Sequence, residues 1–254
     1  MKAFAVCDKG KVRSTNQDIY AIRYCCEDQI AILVVCDGMG GANAGNVASE
    51  IACDTFISYV SERVAIDMQP DERCLLMKEA VEYANDQVHR LSIERKEYQG
   101  MGTTLVAAVC CAEYQLIANV GDSRAYRVSK DHITKITSDH SYLQEMIRQG
   151  KMTPEEAELH PAKNLITRAV GVDPFVEADY YKLSLKEKDR LLLCSDGLCG
   201  LVSDDDMLKI TQKSSDLEIT CQALKDAAME NGGHDNITVL LFSLETAASE
   251  HITD

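Results

Sequence analysis

Positive charge is scarce in this chain. Its 254 residues carry 26 Lys and Arg against 41 Asp and Glu, which leaves a formal net charge of −15. Binding to a nucleic-acid backbone needs clustered Lys and Arg, and anionic membrane surfaces attract the same residues. The charge balance therefore argues against nucleic-acid and membrane partners. Its simplest meaning is a surface that keeps the protein in solution.

The sequence also lacks the cysteine spacing of a metal site or a disulfide framework. It has eleven cysteines, two adjacent pairs among them (Cys25-Cys26 and Cys110-Cys111), and no CxxC motif. Several cysteines lie within apolar runs, as small buried side chains do in a reducing compartment. The pattern argues against a disulfide scaffold and against a thiolate zinc site.

Long apolar runs are missing as well. The longest runs, such as 105–112, are far too short to cross a bilayer. The chain begins Met1-Lys2-Ala3-Phe4 and passes directly into a strand-like segment, from which we expect that it carries no signal peptide. Lys2 stands where N-myristoylation requires glycine. We therefore expect a cytoplasmic protein.

Strands and helices are predicted in groups. Strand-like patterns cover residues 3–7, 18–24, 30–36, 103–111, 115–120, 125–128, 133–137, 190–194 and 236–244. Helical patterns cover residues 43–60, 70–96, 204–211 and 217–229. Because strands cluster instead of alternating singly with helices, the order favours an α+β fold. We expect two antiparallel sheets with helix pairs outside them, a four-layer α-β-β-α sandwich.

Residues 138–174 differ in character from the rest. The stretch is polar and contains three of the four prolines. Asp139 and Ser141 are candidate caps for a short helix that ends near Arg148. A second helix is predicted by Thr153-Pro154-Glu155-Glu156, which combines an N-cap, a first-turn proline and a capping box. We expect one domain over residues 1–245 that carries this insertion as a flap, and a polar tail at 246–254.

Four aspartates stand at the ends of predicted strands. Asp37 and Asp196 follow apolar runs, whereas Asp18 and Asp235 come just before strand-like segments. A carboxylate at the tip of a buried strand is costly unless positive charge meets it. If these strands are neighbours in two sheets, the four carboxylates meet at one edge. Such an oxygen-rich group predicts a site for a hard divalent cation.

Four carboxylates with few bases nearby repel one another. Two cations about 3.5–4 Å apart, sharing one carboxylate, relieve that repulsion and generate hydroxide near neutral pH. The chemistry that fits best is hydrolysis of a phosphate ester by direct attack of this hydroxide. Arg13, five residues before Asp18, is the candidate to clamp the phosphoryl oxygens in a forked geometry.

Six short motifs now stand in a recognisable order after Arg13. They are Asn16-Gln17-Asp18, the segment 35–41, Gly102-Thr103-Thr104, the segment 119–124, Ser195-Asp196-Gly197-Leu198 and Asp235-Asn236-Ile237-Thr238. In order and spacing they resemble the metal-dependent protein phosphatase 2C family, and its compact bacterial members in particular. The resemblance runs from Ala3 to about Ser243. It implies a β-sandwich flanked by helix pairs, with a binuclear metal site at one end.

The resemblance also implies roles for single residues. Asp37 would bridge two Mn²⁺ or Mg²⁺ ions, and Gly38 would give its carbonyl oxygen to one of them. Asp18 would assist largely through water. Asp196 and Asp235 would bind the other ion. Asp37, Asp18 and Arg13 are accordingly the candidate catalytic residues.

Further roles concern a third ion, the substrate and the leaving group. Bacterial relatives can hold a third metal, for which Asp122 and Asp196 are the matching positions. The alternative is that Asp122 is a turn residue paired with Arg124. Arg13 would hold the substrate phosphate, and the flap would influence substrate choice. Met39 stands where many eukaryotic relatives have a histidine credited with protonating the leaving group, so a metal-bound water is the expected acid.

Three functions follow from these patterns. The first is a Ser/Thr phosphoprotein phosphatase, acting as a monomer on phosphoproteins that include a Ser/Thr kinase or its targets. The second is a catalytically weak phosphoprotein-binding regulatory module of the same fold, although all the predicted site residues are intact. The third is a metal-dependent nuclease or phosphodiesterase, which the acidity of the chain and its lack of a basic stripe disfavour.

Overall fold

The structure is a computed structural model. It describes residues 1–158, 160–162 and 165–244, without the side chains of residues 42, 43 and 158. The polar tail predicted at residues 246–254 lies outside the described residues.

Two antiparallel sheets form the centre of the fold. The strands are β1 (Lys2–Asp8), β2 (Asp18–Cys25), β3 (Ile30–Met39), β4 (Gly102–Thr103), β5 (Leu105–Cys110), β6 (Gln115–Val120), β7 (Arg124–Val128), β8 (Ile133–Lys135), β9 (Asp179–Leu183), β10 (Arg190–Cys194) and β11 (Ile237–Ser243). The first sheet has the order β1-β11-β10-β7-β8. The second has the order β2-β3-β5-β6-β9, with β4 paired to the end of β3. The four strands that were expected to carry the aspartates are thus divided evenly between the sheets.

Helices cover the outer face of each sheet, and the described residues form seven α-helices in all. They are α1 (Gly41–Arg63), α2 (Pro70–Glu94), α3 (Tyr142–Arg148), α4 (Pro154–Glu158), α5 (Asp196–Cys199), α6 (Asp204–Thr211) and α7 (Leu217–Glu230). Helices α1 and α2 cover the second sheet, and α6 and α7 cover the first. Helix α2 begins with a proline in its first turn, and the Glu72 carboxylate accepts a 2.7 Å hydrogen bond from the Gln69 backbone. Both features favour a helix start. Among the described residues, none of the helices combines the length and the apolar character needed to span a bilayer.

The core lies in three layers, which strand β3 illustrates. Alternate side chains of a strand point to opposite faces. On one face of β3, Ile32 and Val34 pack against α1 and α2, and on the other face Leu33 and Val35 pack between the two sheets. A third apolar layer separates the first sheet from α6 and α7. The predicted four-layer α-β-β-α sandwich is therefore confirmed.

Some boundaries differ from the prediction. The expected strand at 103–111 is two strands with a break at Thr104. Strand β9 was not predicted, because its five residues, Asp179 to Leu183, mix charged, aromatic and aliphatic side chains and show no clear apolar face. Helix α5 was missed because its four residues are too few for a periodic pattern.

The flap segment, residues 138–174, contains both predicted short helices. The Ser141 side chain caps α3 by accepting a hydrogen bond from the Gln144 backbone. The capping box before α4 forms as expected, since Thr153 and Glu156 exchange side chain-to-backbone hydrogen bonds. An antiparallel bridge between Thr103 and Val170 attaches the end of the segment to the edge of the second sheet. The segment therefore lies next to the strand end that carries Asp37.

Candidate active site

One end of the sandwich carries an open cleft of about 450 Å³. It is lined by Arg13, Ser14, Thr15, Gln17, Asp37, Gly38, Met39, Gly40, Gly41, Thr104, Asp122, Ile166, Asp196, Asp235 and Asn236. Every site residue predicted from the sequence belongs to this wall except Asp18, which lies beneath it. Residues scattered over more than two hundred positions are thus brought to one place.

The two sheets each supply two of the four strand-end aspartates. Asp18 opens β2 and Asp37 lies near the end of β3, and the two residues are direct partners in the antiparallel register. From the first sheet, Asp196 begins α5 two positions after β10, and Asp235 lies two positions before β11. Because β10 and β11 are antiparallel neighbours, the end of one strand meets the start of the other. The register therefore explains the convergence.

Asp18 is buried, with 2% of its surface exposed. Its Oδ2 accepts 2.7 Å hydrogen bonds from the hydroxyls of Ser195 and Thr238. Its Oδ1 has no hydrogen-bond partner. Burial raises the pKa of Asp18 to about 7, against the lowering effect of the two hydroxyls. One oxygen is thus held by protein donors, and the other is open to a different positive partner.

The backbone of Asp37 is fixed by two threonines at the break between β4 and β5. Thr104 Oγ1 accepts a 2.9 Å hydrogen bond from the Asp37 N–H, while Thr103 Oγ1 and the Thr104 N–H donate to the Asp37 carbonyl at 2.9 and 2.8 Å. Burial raises the pKa of the Asp37 carboxyl well above its usual range, and nearby like charge, first that of Asp18, adds to this. The carboxylate is therefore held rigidly in a place that favours its neutral form unless cations are present.

Gly38 lies where the chain passes closest to its neighbours. A Cβ atom added at this position would stand 2.0 Å from the Gly45 carbonyl oxygen and 2.8 Å from that of Gln17. Only glycine fits such a close approach of three backbone segments. The turn after Asp37 can therefore be tight enough to keep Gly38 on the cleft wall.

Asp196 lies at the start of α5, close to the Asp37 carboxyl group. Burial raises the pKa of Asp196, and the charge of Asp235 raises it further, whereas hydrogen bonding with Asp37 lowers it. Its Oδ1 is buried without a hydrogen-bond partner. Asp196 and Asp37 therefore form a close pair of carboxyl groups that come from different sheets.

Arg13 brings positive charge to this acidic cleft. Its guanidinium Nη2 donates a 2.7 Å hydrogen bond to Asp235 Oδ2, in an ion pair whose side chains are 54% and 29% exposed. The hydrogen bond and the charge of Asp235 raise the pKa of Arg13, with smaller contributions from Asp196 and Asp37. A guanidinium has five N–H donors, so most of them face the cleft unused by this bond.

Asp122 lies in the turn between β6 and β7, on the cleft wall. Burial and the charge of Asp196 raise its pKa to about 7. The charge of Arg124 lowers the Asp122 pKa, but the hydrogen bonds of Arg124 are not those of the alternative in which it pairs with Asp122. Arg124 instead donates three hydrogen bonds to Asp139, at 2.7 to 3.1 Å, because the flap segment brings Asp139 alongside it.

The residues around the cleft fit a hard divalent cation. In the described part of the chain, no group of three or more His, Cys, Asp or Glu side chains is so arranged that, as the side chains stand, it could hold a metal ion. The donors are nevertheless all oxygens, and two of them, on Asp18 and Asp196, are buried acceptors without a partner. Carboxylates that raise one another's pKa are stabilised by positive charge placed among them. This donor set suits oxygen-seeking cations better than softer transition metals.

Several residues that support the site were missed from the sequence. Ser195 and Thr238 stand inside the quoted motifs, yet neither was given a role. Asn236 is 4% exposed and bonds three backbone groups of the segment 9–17, since it accepts from Gln17 and donates to Lys9 and Thr15. Their position next to the motif aspartates was the available signal, but which hydrogen bonds they make depends on pairing between distant strands.

Comparisons with known proteins agree on one family. A family model described as protein phosphatase 2C matches residues 10–231. Serine/threonine phosphatase stp of Listeria innocua is 37% identical over 234 residues, which is 92% of each chain. Protein phosphatase PhpP of Streptococcus pneumoniae is 34% identical over 251 residues, which is 98% of this chain and all of that one, 100%.

Solved structures give the same result. Serine/threonine phosphatase Stp1 from Staphylococcus aureus superposes with a TM-score of 0.90 at 36% identity, over 96% of this chain and 95% of that one. The phosphatase PstP/Ppp from Mycobacterium tuberculosis superposes with a TM-score of 0.85 at 32% identity, over 96% and 99%. The similarity therefore extends over nearly the whole of each relative.

Proposed function

The chain belongs to the protein phosphatase 2C family, and on that premise we propose that it removes phosphate from phosphoserine and phosphothreonine in proteins. The observation that carries the proposal is the cleft in which Arg13 faces Asp37, Asp122, Asp196 and Asp235. A phosphate ester needs a cationic clamp for its oxygens and an activated water for its phosphorus atom. The cleft offers the clamp directly and a group of carboxylates that suits metal-activated water.

Members of this family depend on metal ions. We place two Mn²⁺ or Mg²⁺ ions at Asp37, the Gly38 carbonyl, Asp196 and Asp235, with Asp18 assisting from below. A third ion would use Asp196 together with Asp122. Bound there, such ions supply a hydroxide at neutral pH and neutralise charge that develops on the phosphoryl group.

Arg13 orients the substrate in this proposal. Its guanidinium stands over the carboxylate cluster and is half exposed, so an incoming phosphate can reach it. Charge-assisted hydrogen bonds from a guanidinium to two phosphate oxygens fix both position and direction. Asp235 holds Arg13 at this place before substrate arrives, which reduces the conformational entropy lost on binding.

Protonation of the leaving serine or threonine oxygen falls to a group other than residue 39. Met39 lines the cleft but has no proton to give. Asp122 lies on the same wall, where a third ion held by Asp122 and Asp196 would supply a bound water as the acid. We therefore assign Asp122 to the leaving-group side of the cleft.

The remaining features of the proposal concern the protein as a whole. We assign residues 1–245 to one catalytic domain in which the flap segment, 138–174, adjoins the cleft through Ile166. We further propose that the enzyme acts as a cytoplasmic monomer and opposes a Ser/Thr kinase, whose phosphorylated targets, or the kinase itself, are its substrates. A phosphoproteomic comparison of cells with active and inactive enzyme would identify those substrates.

The test is phosphate release from a phosphothreonine peptide. Bound metal is removed from the protein with a chelator. Activity is then measured in three separate assays, which contain no added metal, Mn²⁺ or Mg²⁺. We expect no turnover without metal, turnover with metal, and none with metal in Asp37→Ala. Full activity after exhaustive chelation would contradict the proposal. Peptide binding without turnover would instead support a phosphoprotein-binding module.

A further inference from the structure

The backbone of the turn that carries Asp122 is fixed on both sides of this residue. After it, the Ser123 hydroxyl forms a 2.7 Å hydrogen bond with that of Thr104, the residue that also binds the Asp37 N–H. Before it, Gly121 has a φ of +101°, and a Cβ atom added there would stand 2.7 Å from the Thr104 side chain. Only glycine adopts this conformation in so little space. The direction of the Asp122 carboxyl group therefore depends on what holds Gly121.

His140, in the first turn of the flap segment, binds Gly121 at both of its backbone groups. The His140 N–H donates a 2.9 Å hydrogen bond to the Gly121 carbonyl, and the ring Nδ1 accepts a 3.2 Å hydrogen bond from the Gly121 N–H. The side-chain amide of Asn119 also donates to the Gly121 carbonyl, at 3.3 Å, and to that of Ser138, at 3.3 Å. His140 is 7% exposed, so water does not compete for these bonds.

The bond to Gly121 determines which ring nitrogen of His140 carries the proton. A backbone N–H can only donate, so Nδ1 is unprotonated and the neutral ring carries its proton on Nε2. Nε2 lies 3.3 Å from Asp179 Oδ2 and 3.3 Å from Arg168 Nη1. Because a guanidinium accepts no hydrogen bond, the Nε2 proton is directed to Asp179. Burial, and after it the charge of Arg168, lowers the pKa of His140, which favours this neutral ring.

His140 also anchors the part of the flap segment that faces the cleft. Its carbonyl accepts a 2.7 Å hydrogen bond from the Thr167 N–H, and the next residue, Ser141, pairs with Ile166 in an antiparallel bridge. Ile166 belongs to the cleft wall. One residue therefore joins the flap, where it borders the cleft, to the turn that carries Asp122.

We propose that His140 is a positioning residue whose Nδ1 holds the Gly121 amide and thereby keeps Asp122 on the leaving-group side of the cleft. His140 itself does not touch the substrate. Without it, a buried N–H loses its acceptor, and the turn shifts until this group finds another partner, because an unsatisfied buried N–H is costly. The catalytic consequence rests on the proposed function of Asp122, whereas the hydrogen bond and the ring tautomer do not.

Two substitutions of His140 separate its ring nitrogens. The Oδ1 of asparagine is bonded to Cγ, as Nδ1 is, so His140→Asn keeps the acceptor for Gly121 and loses the donor for Asp179. The Nε2 of glutamine is as many bonds from Cβ as that of histidine, so His140→Gln keeps the donor and loses the acceptor. Asp179 retains hydrogen bonds from Arg168 and Tyr181 in both variants. Since both variants lack the ring, a difference between them reports on the Gly121 bond and not on lost packing.

The first measurement is NMR of the full chain in a chelator, which requires no activity. We expect the His140 ring of the unaltered protein to have an unprotonated Nδ1 and a protonated Nε2. Exchange of the Gly121 amide proton with solvent should be slow in the unaltered protein and in His140→Asn. In His140→Gln it should be about 10-fold faster, the effect of losing one hydrogen bond of ordinary strength.

The second measurement compares kcat/KM for a phosphoserine peptide with kcat/KM for an activated aryl phosphate, both with Mn²⁺. We expect His140→Gln to lower the ratio of the two values about 10-fold, as loss of a residue that supports a metal ligand does. His140→Asn should preserve the ratio. The matched control is His89→Gln, which should also preserve it, because His89 Nδ1 contacts the Gly171 carbonyl, 3.1 Å away, at the opposite end of the flap segment.

Three results would overturn the proposal. They are a proton on Nδ1 of His140, equally fast exchange of the Gly121 amide in the two His140 variants, and an unchanged substrate ratio in His140→Gln. If Asp122→Ala also leaves that ratio unchanged, the proposed role of Asp122 fails together with the catalytic consequence. The amide exchange then still decides whether His140 holds the turn.

Discussion

The hydroxyl of Ser195 donates a 2.7 Å hydrogen bond to the Asp18 carboxylate, joining residues 177 positions apart. Ser195 precedes α5 on the side of the first sheet, and Asp18 opens β2 in the second sheet. The same hydroxyl accepts a 3.0 Å hydrogen bond from the Thr238 backbone. One small side chain therefore connects the two sheets at the cleft and positions a buried carboxylate beneath it.

Ser195→Ala should weaken metal binding without removing a metal ligand. The change leaves Asp18 with a single hydroxyl donor and raises the cost of its charged form. We expect metal affinity, measured as the Mn²⁺ concentration for half-maximal activity, to fall about 10–100-fold. Ser61→Ala, which removes a serine hydroxyl from α1 far from the cleft, is the control and should match the unaltered protein. Equal behaviour of the two variants would contradict this role for Ser195.

Asp37→Asn should abolish activity and yet stabilise the metal-free protein. Asn keeps the shape of the side chain but removes a charge that burial and neighbouring carboxylates disfavour. In the presence of a chelator we expect the melting temperature to rise by at least about 2 °C, the shift that 1 kcal/mol produces in a domain of this size. Asp54→Asn, on the exposed face of α1, should leave both activity and melting temperature unchanged. A lower melting temperature for Asp37→Asn would show that the Asp37 charge is compensated within the protein.

The metal-free protein should lose stability as the pH rises. Asp18 and Asp122 have a pKa of about 7 in the folded chain, whereas an aspartate in an unfolded chain titrates near 4. Between about pH 4 and pH 7 the folded state therefore binds more protons than the unfolded state, and by linkage its stability falls with rising pH. Thermal unfolding in a chelator should show a melting temperature that decreases between about pH 5 and pH 8. Saturating Mg²⁺ should reduce this decrease, and a melting temperature that rises over the same range would contradict the account.

Asn236→Ala should affect substrate binding more than turnover. Asn236 accepts from Gln17 at 2.8 Å and donates to Lys9 at 2.9 Å and to Thr15 at 3.0 Å, which fixes the segment that carries Arg13. Each buried group left without its partner costs about 1–3 kcal/mol. We expect a higher KM for phosphopeptide with a smaller change in kcat, together with a lower melting temperature.

The matched control for that experiment is Asn231→Ala. Asn231 follows the last residue of α7. Its side chain donates one exposed hydrogen bond, 2.8 Å long, to the Leu201 carbonyl. This variant should leave KM unchanged. If Asn236→Ala lowers kcat and spares KM, the segment 9–17 does not position the substrate.

Asp122→Ala should distinguish substrates by their leaving group. If Asp122 acts on the leaving-group side, its removal slows hydrolysis of a phosphoserine peptide, whose alkoxide leaves poorly, more than hydrolysis of an activated aryl phosphate. The ratio of kcat/KM for the two substrates measures this directly. Asp131→Ala, in the exposed turn between β7 and β8, is the control. Equal slowing of both substrates would count against the assignment.

The order of layers was predictable from the sequence because it depends on local patterns. The sequence of β3 contains a continuous apolar run, 30–36, and this run is buried on both faces. Helix α2 begins at a proline that is followed by two acidic residues, a pattern typical of a helix start. Strand β9 was not predictable, because Asp179 to Leu183 is half buried and forms a strand by pairing with β6, which is distant in the sequence. The break at Thr104 was missed for a similar reason, since Thr104 leaves the strand in order to bond Asp37.

At the site, too, features that depend on local sequence were predictable and features that depend on contacts between distant segments were not. That Asp37, Asp196 and Asp235 line one cleft could be predicted, because an acidic residue directly before or after an apolar run is locally unusual. The pairing of Arg124 with Asp139 could not, since it depends on how the flap segment folds back onto β7. The bond between Arg13 and Asp235, residues 222 positions apart, likewise depends on strand order. The acidic residues of the cleft were thus visible in the sequence, and the hydrogen bonds that position them were not.

The central claim is that carboxylates from both sheets hold divalent cations in one cleft. The most direct measurement is anomalous diffraction from crystals of the protein grown with Mn²⁺. The account predicts at least two strong anomalous peaks in the cleft, between Asp37 on one side and Asp196 and Asp235 on the other. Crystals of active enzyme that show manganese only outside this cleft would contradict it.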